Sequence, residues 1–328
     1  MELQLCQLWQ EVLSTDDIMP WDDFFELGGD SILALQLTHR MQSELSLKIT
    51  IVDIFEAPTV ELILQRDPES VQHQPVLVDM KSTASNIRLY FVHASSGEIL
   101  FLKDVCSASR FNVSGLRSAG LSNAENADKK ITSMANRYLS EIGTRRDKSE
   151  ISILVGYSLG AAVAYQMTLS SNPLARRFDG LILIDPPSRG VKAPHQLDAY
   201  VAERFLELSK LYDLNPNREL ERSALIEDFR AARAIPDFTS NEAFINAQYV
   251  WAYNMMALDS YSAGGEVDIP SVVFATLENR PIVEPWLKVL SNLRGFETFS
   301  CDHFDVMRKD NFPTRINWSV HQLISASA

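Results

Sequence analysis

Two serines in this chain stand where a hydroxyl could be put to use, and their surroundings differ. Ser31 lies in ELGGDSILALQL, behind two glycines and an aspartate, at the first turn of a predicted helix. No histidine closely precedes it and His39 is about two turns further on, so no neighbour in sequence would take its proton. Ser158 lies in LVGYSLGAA, where Gly156-Tyr157-Ser158-Leu159-Gly160 forms a G-x-S-x-G pattern. An apolar strand-like run precedes it and the small-residue helical stretch Ala161 to Tyr165 follows. That order of strand, sharp turn and helix exposes the hydroxyl at a strand tip and aims the Leu159 N–H at an oxygen that gains negative charge.

A serine used as a nucleophile needs a positioned base, and the base needs an orienting acid. His303, in SCDHFDVM after the strand-like FETFSC, is the predicted base. His39 and His73 fall in the helical region and linker, His93 precedes the serine, His195 opens an insertion and His321 sits in a terminal helix. Asp185 and Glu278 both end predicted strands, where catalytic groups collect in open α/β sheets. Asp185 is preferred because Pro186-Pro187 stops its strand abruptly, with Glu278 as the alternative. Asp302 reads as a solvated loop residue. In VHASSGEI, the small residues from Ala94 to Gly97 would let a backbone N–H approach the reacting carbonyl, with His93 orienting that loop.

These groups require a framework to hold them. Leu3, Leu5, Leu8, Trp9, Val12 and Leu13 repeat at helical spacing. Leu33, Leu37 and Met41 form the stripe of a second helix starting near Ser31; Thr50 to Glu56 and Val60 to Leu64, the latter capped after Pro58-Thr59, complete a small four-helix bundle. A polar stretch follows, placing a boundary near Asp67 to His73, although Val76 to Val78 has strand character. Beyond it RLYFVHA, ISILVGY, LILIDP and PSVVFATLE read as buried parallel strands alternating with helices. The long stretch between the last two reads as three helices, with Asp198, Asn217 and Asn241 near their starts as caps, and predicts a lid over the site.

Composition narrows the classes. Of 328 residues 43 are acidic and 30 basic, and the net charge of −13 disfavours nucleic acid and anionic membrane surfaces as partners. Cys6, Cys106 and Cys301 are far apart and have no metal-ligand or redox spacing, which fits a reducing, cytoplasmic setting and predicts no metal. No apolar run reaches the length of a membrane span, and the chain opens directly on an amphipathic pattern, as a piece of a longer polypeptide would.

FFELGGDSILALQL resembles the carrier-domain signature of nonribosomal peptide synthetases, matched from Asp23 through Ile32. FVHASSG, GYSLGAA, LILIDPP and CDHFDVM resemble, in order and spacing, the landmarks of the type I thioesterase domain that closes such assembly lines, a domain of α/β-hydrolase fold. The resemblance implies a peptidyl carrier domain over 1–68, a linker over 69–86, and a thioesterase domain over 87–328 with a lid at about 190–264. It implies covalent 4′-phosphopantetheine on Ser31, added by a phosphopantetheinyl transferase, and upstream adenylation and condensation domains as partners. By the same carry-over Ser158, Asp185 and His303 form the triad, with the Ser95 and Leu159 N–H groups as oxyanion hole. Ala161 stands where a second glycine is common, and Cys301 where a glycine often precedes the histidine segment; both bear on pocket shape.

The function so implied is terminal release. An acyl or peptidyl thioester on Ser31 passes to Ser158 and leaves by hydrolysis or cyclisation. Two alternatives stay open: a single-module synthetase thioesterase that joins two aryl-keto acids by a carbon–carbon bond, and an inactive carrier scaffold. The lid's apolar residues Phe205, Leu208, Phe244, Trp251, Met255 and Met256 face either core or ligand, and periodicity does not divide them.

Overall fold

The computed structural model describes the chain apart from residues 30, 48, 50–52, 55–56, 67–74, 146–148, 170–177, 189–195, 215–221, 233–234, 236–238 and 326–328. It has two compact units, Met1–Met80 and Lys81–Ala328. The boundary expected at 67–73 lies outside the described residues, as do His73, His195 and the expected cap Asn217.

In the first unit α1 (Glu2–Leu13) buries Leu5, Cys6, Leu8, Trp9 and Val12, the face that i, i+3, i+4 and i+7 spacing creates. Leu3, counted in the same apolar run, falls off that face and is 81% exposed. Ser14 closes the helix in a left-handed conformation (φ 53°), its N–H donating to Gln10 O. Helix α2 (Ser31–Leu45) buries Leu37 and Met41 completely, as their spacing predicts. Most of the expected short helix over 50–56 lies outside the described residues. Thr59 caps α3 (Val60–Gln65), its hydroxyl oxygen accepting from Leu62 N–H at 3.2 Å. Between α1 and α2, Phe24 packs edge-to-face on Trp9 with centroids 5.2 Å apart. Each such fully buried ring contributes about 1.5–3 kcal/mol, which ties the loop before Ser31 to the bundle. Gly29 lies so close to Phe24 that a Cβ would overlap its ring.

The chain from Leu77 onward builds a seven-stranded sheet, six of whose strands lie wholly in the second unit. Strands β1 (Leu77–Lys81), β2 (Ile87–Val92), β3 (Asn112–Leu116), β4 (Ile151–Tyr157), β5 (Gly180–Ile184), β6 (Ser271–Thr276) and β7 (Leu293–Phe299) take the order β1-β3-β2-β4-β5-β6-β7. The ladders from β3 across to β7 are parallel. β1 occupies part of the stretch expected as linker, because Leu77 and Val78 are apolar enough to be buried at the sheet's edge. β3, with sequence NVSGL, has no strand-like pattern. Its polar side chains are buried with partners: Asn112 Nδ2 donates to Ser85 O at 2.9 Å and Ser114 Oγ accepts from Arg88 at 2.8 Å.

Helices α4 (Lys103–Ala108), α5 (Ile131–Arg145) and α6 (Leu159–Leu169) precede the lid. α6 packs on β4 and α5, and its Gly160, Ala161, Ala162, Val163 and Ala164 are all buried, which is why small residues occupy them. The lid holds α7 (Leu197–Leu211), α8 (Arg222–Ala231) and α9 (Asn241–Asp259), followed after β6 by α10 (Arg280–Leu287) and finally α11 (Phe312–Ile324). Phe205, Leu208, Phe229 and Trp251 belong to a lid core of their own, with Phe244, Met255 and Met256 packed against it. The cap of α9 is Ser240 rather than Asn241, its hydroxyl accepting from Ala243 N–H at 3.0 Å. Asp198 lies in the first turn of α7, after an N-cap Gln196 that makes no side-chain cap bond.

Candidate active site

Parallel register brings the predicted site residues to one edge. Tyr157 of β4 pairs with Ile184 of β5, and Ile184 with Phe274 of β6, so Ser158, Asp185 and Thr276 emerge together at the carboxyl ends. Ser158 holds φ 55° and Asp185 φ 44°, a left-handed conformation uncommon outside glycine. Each is pinned by the neighbouring strand: Ser158 N–H donates to Ile184 O at 3.0 Å, and Asp185 N–H to Phe274 O at 2.8 Å. Gly156 and Gly160 make the turn possible. A Cβ on Gly156 would overlap Gly160 O, and one on Gly160 would stand 2.5 Å from His93 O.

His303 Nε2 lies 3.0 Å from Ser158 Oγ, and its Nδ1 lies 2.6 Å from Asp185 Oδ2. The Asp185 carboxylate is completely buried and also accepts from Thr276 N–H at 2.8 Å and Asn279 Nδ2 at 2.6 Å. Burial alone would raise its pKa, but the bonds from His303, Thr276 and Asn279 outweigh burial and hold it below the usual aspartate value. An ionised Asp185 fixes the proton of His303 on Nδ1 and leaves Nε2 to accept from the serine. Glu278, the alternative acid, is exposed, and Asp302 is an exposed loop residue accepting from Asp305 N–H at 2.8 Å.

Tyr157 holds His303 in two ways. Its hydroxyl donates to His303 O at 2.7 Å, and its ring stacks on the imidazole with centroids 5.1 Å apart. Burial, and then the charge of Asp185, push the Tyr157 phenol well above its ordinary pKa, so it remains a donor. Tyr157, Thr276 and Asn279 were not singled out by sequence. Tyr157 fills a variable position of the G-x-S-x-G pattern, and the other two act only through contacts across strands.

A cavity of about 590 Å³ surrounds the triad, lined by Ser95, Ser96 and Leu159 on the sheet side and by Trp251, Met255 and Leu258 of α9 on the lid side. Of the lid residues left undivided by periodicity, Trp251 and Met255 also reach the cavity while contributing to the lid core. Among the described residues neither the Ser95 nor the Leu159 N–H has an acceptor within the protein. His93 is fully buried, with Nδ1 2.6 Å from Ala94 O and Nε2 2.6 Å from the Tyr138 hydroxyl. Burial drives its pKa down to about 4, which keeps it neutral and suits orientation of the loop rather than proton transfer.

Residues 88–322 match the family model described as Thioesterase domain. The chain belongs to the thioesterase family. Ahead of the thioesterase, residues 4–66 match the model described as Phosphopantetheine attachment site, whose members carry covalent 4′-phosphopantetheine on a serine. The chain is thus a carrier region followed by a thioesterase of α/β-hydrolase fold, as terminal modules of nonribosomal peptide synthetases are arranged.

The chain is 29% identical over 185 residues to a dimodular nonribosomal peptide synthase of Bacillus subtilis, a match covering 55% of this chain and 8% of that protein. It is 26% identical over 196 residues to indigoidine synthase of Streptomyces lavendulae (58% and 15%), and 27% identical over 186 residues to atromentin synthetase nps3 of Serpula lacrymans (53% and 19%). It spans less than a fifth of the length of these relatives. In fold it is similar to the four-domain nonribosomal peptide synthetase AB3403, with TM-score 0.66 and 19% identity over 98% of this chain and 26% of that one. The thioesterase unit is also similar to YbtT, a type II thioesterase of the yersiniabactin pathway, with TM-score 0.56 and 16% identity over 76% and 99%.

Ser31 is the first residue of the 15-residue α2. The side chains of Ser31, Ile32, Leu35 and His39 lie outside the described residues. Gly28, three residues earlier, has φ 92° and open space where a Cβ would stand. A phosphodiester there would meet the positive end of the helix dipole, so the position fits the group. No helix among the described residues is long and apolar enough to cross a membrane.

Proposed function

We propose that this thioesterase releases an acyl or peptidyl chain from a thioester by way of an ester on Ser158. The observation that carries the reading is the continuous chain Ser158–His303–Asp185, closed at 3.0 and 2.6 Å. Ser31 is the residue that would hold the phosphopantetheine, which when bound supplies the thiol that presents the acyl group. The protein's own residues perform the rest. Ser158 Oγ attacks the thioester carbonyl carbon while its proton passes to His303 Nε2; the Ser95 and Leu159 N–H groups donate to the carbonyl oxygen as it becomes anionic. The C–S bond then breaks and the sulfur takes the proton from His303. Water, or an amine or hydroxyl of the acyl chain itself, next gives a proton to His303 and attacks the ester. Ser158 departs reprotonated, and the product is a free acid or a ring.

The upstream partners that fit this role are adenylation and condensation domains of the same synthetase, with a separate phosphopantetheinyl transferase for Ser31. A geometrically complete triad weighs against an inactive scaffold. The test is covalent: a fluorophosphonate probe should label the protein at one residue and Ser158→Ala should remain unlabelled. An unlabelled wild-type protein, or a labelled Ser158→Ala, would refute the assignment.

A further inference from the structure

The loop that carries the proposed oxyanion donor is held from two sides, and one of them is the lid. Ala94 to Gly97 form a tight turn in which Gly97 N–H donates to Ala94 O at 3.0 Å. Ala94 O is also 2.6 Å from His93 Nδ1. Because a peptide is planar and trans, fixing the Ala94 carbonyl fixes the opposite direction of the Ser95 N–H. The next peptide plane is caught from elsewhere. Asn254, in the middle of lid helix α9 and fully buried, donates from Nδ2 to Ser95 O at 3.0 Å. Its Oδ1 lies 3.4 Å from Ser118 Oγ, and Ser118 N–H donates to Gly97 O at 2.9 Å. The amide orientation is unambiguous, since the reverse would set two carbonyl oxygens against each other.

We infer that Asn254 is a positioning residue for acyl transfer, through which lid helix α9 sets the backbone of Ser95 and so aims the oxyanion-hole N–H. The inference rests on the proposed role of Ser158. With both carbonyls beside the Ser95 Cα held, its φ and ψ are fixed before substrate enters, and the donor needs no reorganisation as charge develops. Packing supports the same coupling: Gly97, at φ 82°, leaves no room for a Cβ, which would stand 2.8 Å from Ser118 Cβ and 3.0 Å from Val250 Cγ1 of α9. The same helix has an anchor that bypasses the oxyanion loop. Asn246 Oδ1 accepts from Ala124 N–H at 2.6 Å, and its Nδ2 donates to Gly120 O and Leu121 O at 3.0 and 2.8 Å.

This difference supplies the control. Asn254→Leu and Asn254→Asp remove the donor at nearly constant volume, whereas Asn246→Ala loosens the helix and leaves the Ser95 carbonyl paired. Turnover of 4-nitrophenyl acetate and the rate of fluorophosphonate labelling are measured in the full chain, with circular dichroism confirming the fold. Losing a donor outright costs about 10²–10³ in kcat; misaiming one should lower kcat and the labelling rate about 10- to 100-fold in the Asn254 variants, with KM within about threefold and Asn246→Ala near wild type. If one Asn254 variant does not fold, the other decides. Asn254 variants within about threefold of wild type, or an equal loss in Asn246→Ala, overturn the inference. Failure of the wild-type protein to label would instead overturn the role of Ser158.

Discussion

At the scale of single residues the site works by restricting protons. Asp185 is buried yet ionised because three donors outweigh its desolvation, and one of those donors is His303 Nδ1. Asp185→Asn should therefore reduce kcat about 10⁴-fold by releasing the imidazole tautomer, while exposed Glu278→Gln stays within about twofold. Steady-state turnover of an acyl thioester checks both, and a larger loss at Glu278 would reverse the assignment. His93 makes a prediction about stability. Its pKa is near 4 in the fold against about 6.5 unfolded, so between these values the unfolded chain binds more protons. Stability is thus complete above about pH 6.5 and is lost as pH falls toward 4, by on the order of 3 kcal/mol in total. Hydrogen exchange of the β2 and β4 amides should show this loss in the wild-type chain and a flatter profile in His93→Gln; equal slopes would contradict it.

At the scale of elements the turn after β4 carries the most information. Ser158 is presented at φ 55° because glycines on both sides remove the Cβ atoms that would meet Gly160 O and His93 O. Gly160→Ala should destabilise the fold by more than about 2 kcal/mol, since backbone atoms rather than a mobile side chain occupy the space; a thermal melt within a degree or two of wild type would refute this. This element was legible in sequence because its constraint is local: two glycines, an apolar strand and small helical residues all lie within a dozen positions. β3 was not legible, because its buried Asn112 and Ser114 are satisfied by Ser85 and Arg88, remote in sequence. The lid helices were readable as helices, but the division of their apolar faces between lid core and cavity depends on packing. The cap of α9 was displaced by one position, Ser240 for Asn241, because both residue types serve equally well there.

At the scale of the whole chain the proposed function divides the work between two serines, and their separation is testable. Ser31→Ala should abolish the mass gain that coenzyme A and a phosphopantetheinyl transferase give the wild-type protein, while fluorophosphonate labelling of Ser158 proceeds unchanged; a mass gain in the variant would place the attachment elsewhere. The sequence by itself determined the order of the two regions, the pattern around each serine, and the acid and base to expect at strand ends, since these follow from glycine geometry, periodicity and strand punctuation. Only the tertiary structure shows which of Asp185 and Glu278 meets His303: Asp185 accepts from His303, Thr276 and Asn279, and Glu278 is exposed. It also decided that Tyr157 holds His303 and that Asn254 of the lid reaches Ser95. Hydrogen bonds of this kind join residues far apart in the chain, and neither composition nor spacing records which carbonyl a buried amide will meet.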